Sequence, residues 1–64
     1  MELMTEYEAG EFLHLSVATL RKYRGDYVKT GVNVGPAYLK IGKSIRYRAA
    51  DLEAWVQLNI VAHG

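Results

Sequence analysis

At 64 residues and without cysteine, the chain has room for one small domain with a modest core, and disulfides and thiolate metal sites are excluded. Half of the residues are hydrophobic, which argues for a folded domain over a disordered one. No uncharged run approaches the roughly 20 residues that cross a bilayer, and the N-terminal stretch carries glutamates in place of a basic leader, so neither a membrane span nor a signal peptide is expected.

Net charge is only +1, but its distribution is uneven. Residues 1–20 hold four glutamates and no lysine or arginine, whereas residues 21–48 hold all eight cations against Asp26 alone. Such segregation predicts a basic surface for a polyanion, with the acidic parts turned away.

In chain order, Thr5 and Glu8 have the S/T-x-x-E spacing of a capping box, which predicts a helix over residues 6–13 with Ala9, Phe12 and Leu13 on one face. Gly10 inside it either permits close packing or weakens it by about 1 kcal/mol relative to alanine. After a turn at His14, Ser16 is a good N-cap for a second helix, residues 16–24, with Leu20 facing inward. Two short helices joined this way have helix-turn-helix spacing.

In that geometry the second helix offers Ser16, Ala18, Thr19, Lys22 and Tyr23 to base edges, with Arg21 and Arg24 nearer the phosphates. Thr19 equally suits packing beneath the turn. Gly25 is placed to end the helix. Residues 26–34 show neither helical nor strand period and read as a long loop, with Lys29 a candidate phosphate contact.

Residues 38–41 and 45–48 then alternate apolar and polar side chains, as half-buried strands do. Gly42-Lys43-Ser44 between them suits a tight hairpin with a greasy face and a basic one. Leu39, Ile41, Ile45 and Tyr47 fall on the apolar face. Lys40, Arg46 and Arg48 fall on the other, and Lys43 and Ser44 lie at the tip. A third helix is predicted over 49–60, with Leu52, Trp55 and Val56 inward and Asp51 and Glu53 near its positive end. Gly42-Lys43-Ser44 also echoes a phosphate-binding loop, but that motif needs glycine where Ala37 stands and a helix where residues 45–48 alternate.

The chain resembles small winged helix-turn-helix proteins of the excisionase and AlpA type, relatives of the MerR DNA-binding domain. The resemblance runs roughly from Thr5 to Val56. It rests on Thr5-x-x-Glu8-Ala9, Leu13-x-Leu15-Ser16-x-x-Thr19-Leu20-Arg21, Gly35-Pro36-x-Tyr38-Leu39-Lys40-Ile41-Gly42 and Ile45-Arg46-Tyr47-Arg48-x-x-Asp51-Leu52-Glu53-Ala54-Trp55. It departs at His14, where a turn glycine is usual, and in the longer loop from Gly25 to Val34.

The resemblance implies an α+β winged helix-turn-helix over residues 1–64, with three short helices and a two-stranded antiparallel wing. It implies sequence-specific binding of double-stranded DNA by the second helix and the wing. The role that follows is that of a cytoplasmic, nucleoid-associated recombination directionality factor of a phage or mobile element, which bends DNA. Its implied partners are an integrase and further copies of itself. The alternatives are a small phage-type transcriptional regulator and, from another class, a protein-interaction module. No enzyme activity, cofactor, metal, membrane or small-molecule ligand is expected. The two distant histidines and the absence of cysteine give a paired nucleophile little support.

Overall fold

A computed structural model describes residues 2–60 of the chain. A two-residue strand β1 (Leu3–Met4) leads into helix α1 (Glu6–Leu13), followed by helix α2 (Val17–Thr30), strands β2 (Leu39–Ile41) and β3 (Ser44–Arg48), and helix α3 (Ala49–Leu58). The result is an α+β domain of three helices and a three-stranded antiparallel sheet ordered β1-β3-β2.

The sheet has one strand more than the sequence predicted. β1 pairs with β3 through Leu3↔Arg48 and Met4↔Tyr47, while β2 pairs through Leu39↔Arg46, Lys40↔Ile45 and Ile41↔Ser44. Two residues are too few to show a period, so β1 exists only because β3 offers it an open edge. Pairing of Ile41 with Ser44 leaves Gly42 and Lys43 as the turn, and Gly42 takes φ 62°. A positive φ at the first of two turn residues fits a type II′ hairpin, where glycine carries no steric cost.

α1 begins where expected, and its capping box is complete. The Glu8 amide donates to Thr5 Oγ1 at 3.2 Å and the Thr5 amide donates to Glu8 Oε1 at 2.9 Å. It ends at His14, which adopts φ 56°, and the Leu15 amide returns to the Gly10 carbonyl at 2.9 Å. That return resolves the question of Gly10. A Cβ there would stand 2.7 Å from the Leu15 carbonyl oxygen, so this glycine permits close packing of the turn on the helix.

α2 departs most from expectation. It does not stop at Gly25 but runs 14 residues to Thr30, and Gly31 at φ 77° caps it. Gly25 costs the helix about 1 kcal/mol, which is not enough to end it when Tyr27, in the next turn, packs edge-on against Tyr38 with ring centroids 6.4 Å apart. The long loop therefore shrinks to residues 31–38. A Cβ at Gly25 meets nothing within 4 Å and its φ is not left-handed, so Gly25→Ala is expected to stabilise the domain by about 1 kcal/mol, read from urea or thermal melts.

The fully buried side chains are Ala9, Leu20, Tyr47 and Leu52, one or more from each helix and one from β3, with Met4, Leu13, Leu15, Tyr23, Tyr38 and Ile45 packed around them. Three positions expected on inward faces are substantially exposed: Phe12 at 43%, Val56 at 41% and Ile41 at 56%. The register corrects the expected hairpin faces: the two-residue turn sets Leu39 opposite Arg46, Ile41 opposite Ser44 and Lys40 opposite Ile45. Leu39 and Ile41 therefore share a face with Arg46 and Arg48, and Lys40 shares the other with Ile45 and Tyr47. Phe12 and Val56 line an open depression on the outer side of α1 and α3 together with Ala50, Glu53, Ala54 and Gln57. α3 stops at Leu58, two residues short of the predicted end, where Asn59 Nδ2 donates to the Trp55 carbonyl at 2.8 Å.

The 31–38 loop is held to the body by glycine and tryptophan. Trp55 Nε1 donates to the Val34 carbonyl at 3.0 Å, and Gly35 is buried where a Cβ would come within 2.9 Å of the Tyr23 side chain. This close approach returns the chain from the far end of α2 to β2.

Candidate nucleic-acid interface

α2 starts at Ser16, whose Oγ accepts from the Thr19 amide at 3.1 Å and lies 2.9 Å from Thr19 Oγ1. Thr19 is half-buried, so the packing alternative describes it better than a free base-reading hydroxyl. With Leu20 buried and Tyr27 against Tyr38, the helical period places Ala18, Lys22, Gly25 and Lys29 on the opposite stripe, and all four are exposed. Lys22 and Lys29 are two turns apart, about 10 Å along the axis. Their alignment exists only because the helix continues past Gly25.

Two predicted contacts of this helix face elsewhere. Tyr23 is not exposed: its ring packs against Trp55 at 6.0 Å and its Cβ against Gly35. Arg24 is held inside, donating to Tyr47 Oη at 2.7 Å and to Glu6 Oε1 at 2.8 Å, with its side chain only 16% exposed. Arg21 lies at the surface but is also tied to Glu6, through Nε to Oε1 at 3.1 Å and Nη2 to Oε2 at 2.7 Å.

The N-terminal glutamates are thus not all turned away from the cations, since Glu6 takes two arginines. No short-range pattern carries this contact. Its partners are 15 and 18 positions apart, and only the crossing of α1 over α2 brings them together.

In the hairpin, Lys40, Lys43 and Ser44 are exposed, and Arg46 is half-buried with Nη1 donating to the Ile45 carbonyl at 2.8 Å. Arg48 chelates Asp51, Nε to Oδ2 at 2.6 Å and Nη2 to Oδ1 at 2.9 Å, which pins the start of α3. Among the described residues the ion pairs therefore occupy Arg21, Arg24 and Arg48. Lys22, Lys29, Lys40, Lys43 and Arg46 have no carboxylate partner there, and all of them lie on α2 or the hairpin.

Hydrogen bonds from Arg21 and then Arg24 hold the Glu6 carboxyl at about 2, below its ordinary 4.5, against an opposing effect of burial. The Glu8 carboxyl is lowered too, first by the Thr5 amide that it caps. A carboxylate with a depressed folded pKa contributes stability above its unfolded value and loses it as pH falls toward the folded one. The domain is therefore expected to lose about 1–2 kcal/mol between pH 4.5 and about 2 through Glu6. Thermal melts across that range check this, and Glu6→Gln should flatten most of the dependence.

Among the described residues no group of three histidine, cysteine or acidic side chains could hold a metal, and no helix is long and apolar enough to cross a membrane. Fold and charge together define a small α+β domain whose described cations without a carboxylate partner sit on the outward stripe of α2 and on the hairpin. Compared with known proteins, the chain matches no family model and no curated protein.

Proposed function

We propose that this domain is a winged helix-turn-helix that binds double-stranded DNA, laying α2 in the major groove while the β2–β3 hairpin tracks the adjacent backbone. The observation that carries this reading is the placement of the unpaired cations. Lys22 and Lys29 lie on the outward stripe of α2 and Lys40, Lys43 and Arg46 on the hairpin, while Glu6 and Asp51 are neutralised by arginines. Gly25 between the lysines and Ala18 one turn before Lys22 are small enough to let a groove wall approach the helix backbone. Lys22 and Lys29, with Lys43 and Arg46, supply phosphate contacts, and Ser16, Ala18 and Lys22 face the bases.

Within DNA binding, the motifs resembling excisionases favour a recombination directionality factor that bends its site, working with an integrase and further copies of itself. A small transcriptional regulator uses the same surface. Comparing integrase-dependent excision with promoter output separates the two.

Binding to random duplex DNA is expected to weaken steeply with salt. Lys43→Ala and Arg46→Ala should each lower the slope of log affinity against log salt by about 1, whatever the sequence. Lys22→Ala should also change which sites are selected. An unchanged slope for both hairpin variants removes the hairpin from the interface.

The α1–α3 depression with exposed Phe12 and Val56 favours a second reading, a protein-interaction module. That reading predicts loss of function from Phe12→Ser and none from Lys43→Ala.

A further inference from the structure

The Glu6 cluster joins two arginines of α2 to the first residue of α1 and is not needed to explain a basic surface. Glu6 is well covered, its side chain only 17% exposed, and it is anchored from the inside by Arg24, which Tyr47 Oη holds in turn. Arg21 meets the same carboxylate from outside with its side chain 56% exposed. Its contact is side-on, through Nε and Nη2, and Nη2 also lies 3.4 Å from the hydroxyl of the exposed Tyr7.

Side-on pairing leaves the other edge of the guanidinium unused, and Nη1 has no partner among the described residues. Arg21 also borders the outward stripe of α2, three residues after Ala18 and four before Gly25. A polyanion drawn close by those two small residues meets Arg21 at its margin. The cluster of one carboxylate and two guanidiniums keeps a net charge of +1, so an incoming phosphate is still attracted.

We infer that Glu6 is a positioning residue. It holds Arg21 side-on, with Nη2 also 3.4 Å from the Tyr7 hydroxyl, so that the free Nη1 forms a ready-made phosphate contact flanking α2. This inference rests on the DNA-binding reading and adds a residue of the wrong charge to it. An arginine already immobilised on an anchored carboxylate gives up less side-chain freedom on binding than a free one.

The rival view is that Glu6 is only a counter-ion that weakens attraction to DNA. The two views differ in sign. Glu6→Gln makes the protein one unit more positive, so the counter-ion view expects tighter binding. The positioning view expects weaker binding, about threefold to tenfold at fixed salt.

The experiment is fluorescence anisotropy on a random duplex across a salt series, for the unaltered protein, Glu6→Gln, Arg21→Ala and the double variant. Each is held well below its melting temperature as judged by circular dichroism. Arg21→Ala is expected to lower the salt slope by about 1. Glu6→Gln should weaken binding without lowering the slope, and should have no further effect once Arg21 is alanine.

Equal or tighter binding by Glu6→Gln overturns the assignment. So does an unchanged slope for Arg21→Ala, or a loss from Glu6→Gln that persists without Arg21, since Glu6 then acts through the fold. If the unaltered protein does not bind DNA at low salt, the DNA reading itself falls and this assignment falls with it.

Discussion

A Gly10→Ala variant is expected to be less stable than the parent by about 2 kcal/mol, although alanine is the better helix former by about 1 kcal/mol. The new methyl group would lie 2.7 Å from the Leu15 carbonyl oxygen, an atom of the backbone that no side-chain rotation can move. Relief requires α1 to shift from the turn, and that turn carries the Leu15-to-Gly10 hydrogen bond and the left-handed His14. Core residue Ala9 and the Val17 and Leu20 side chains near Gly10 would move too. Urea melts of Gly10→Ala and Gly25→Ala side by side should give shifts of opposite sign. If both variants are stabilised, the close approach at Gly10 is not a real constraint.

Leu20→Ala is expected to cost about 3 kcal/mol. Leu20 is fully buried and is, among the described residues, one of the three largest side chains that are, with Tyr47 and Leu52. A domain of this size has a total stability of roughly 3–10 kcal/mol, so this loss should leave a substantial unfolded fraction at 37 °C. The cavity would open in the buried cluster that Leu20 shares with Ala9, Tyr47 and Leu52, which come from three different elements. Circular dichroism melts check this. A drop below about 1 kcal/mol would mean that the core tolerates the cavity by rearranging.

The two variants test different kinds of information. Leu20 is legible as a core residue because it follows a capping serine at helical spacing, and burying apolar surface is the strongest local constraint on a short chain. Helix α1, its capping box, the start of α2 and the existence of the two hairpin strands are legible for the same reason. The shared faces of those strands are not, because a two-residue turn in place of a three-residue one sets Leu39 beside Arg46 and Lys40 beside Ile45. Each follows from hydrogen bonds and side-chain periods among residues within about four positions of one another.

The end of α2 is different. Gly25 and Gly31 are equally plausible caps by composition, and the packing of Tyr27 on Tyr38 selects the second. Strand β1 is too short to leave a pattern and depends on the free edge of β3. Tyr23 is an exposed tyrosine by helical spacing until Trp55 and Gly35 cover it.

The site divides in the same way. The concentration of cations between residues 21 and 48 is written in the sequence, and so is the split between an acidic first third and a basic middle. Which of those cations remain unpaired is not. Arg24 and Arg21 are occupied by Glu6, and their positions 18 and 15 residues away become neighbours only when α1 crosses α2.

By itself, then, the sequence determined three helices, a basic hairpin and the sign of the surface, because local hydrogen bonding and hydrophobic period act over a few residues. The tertiary structure alone decided how far α2 runs, that a third strand joins the sheet, and which arginines hold the fold together. Those outcomes depend on contacts between distant residues, which form only after the chain has closed on its core.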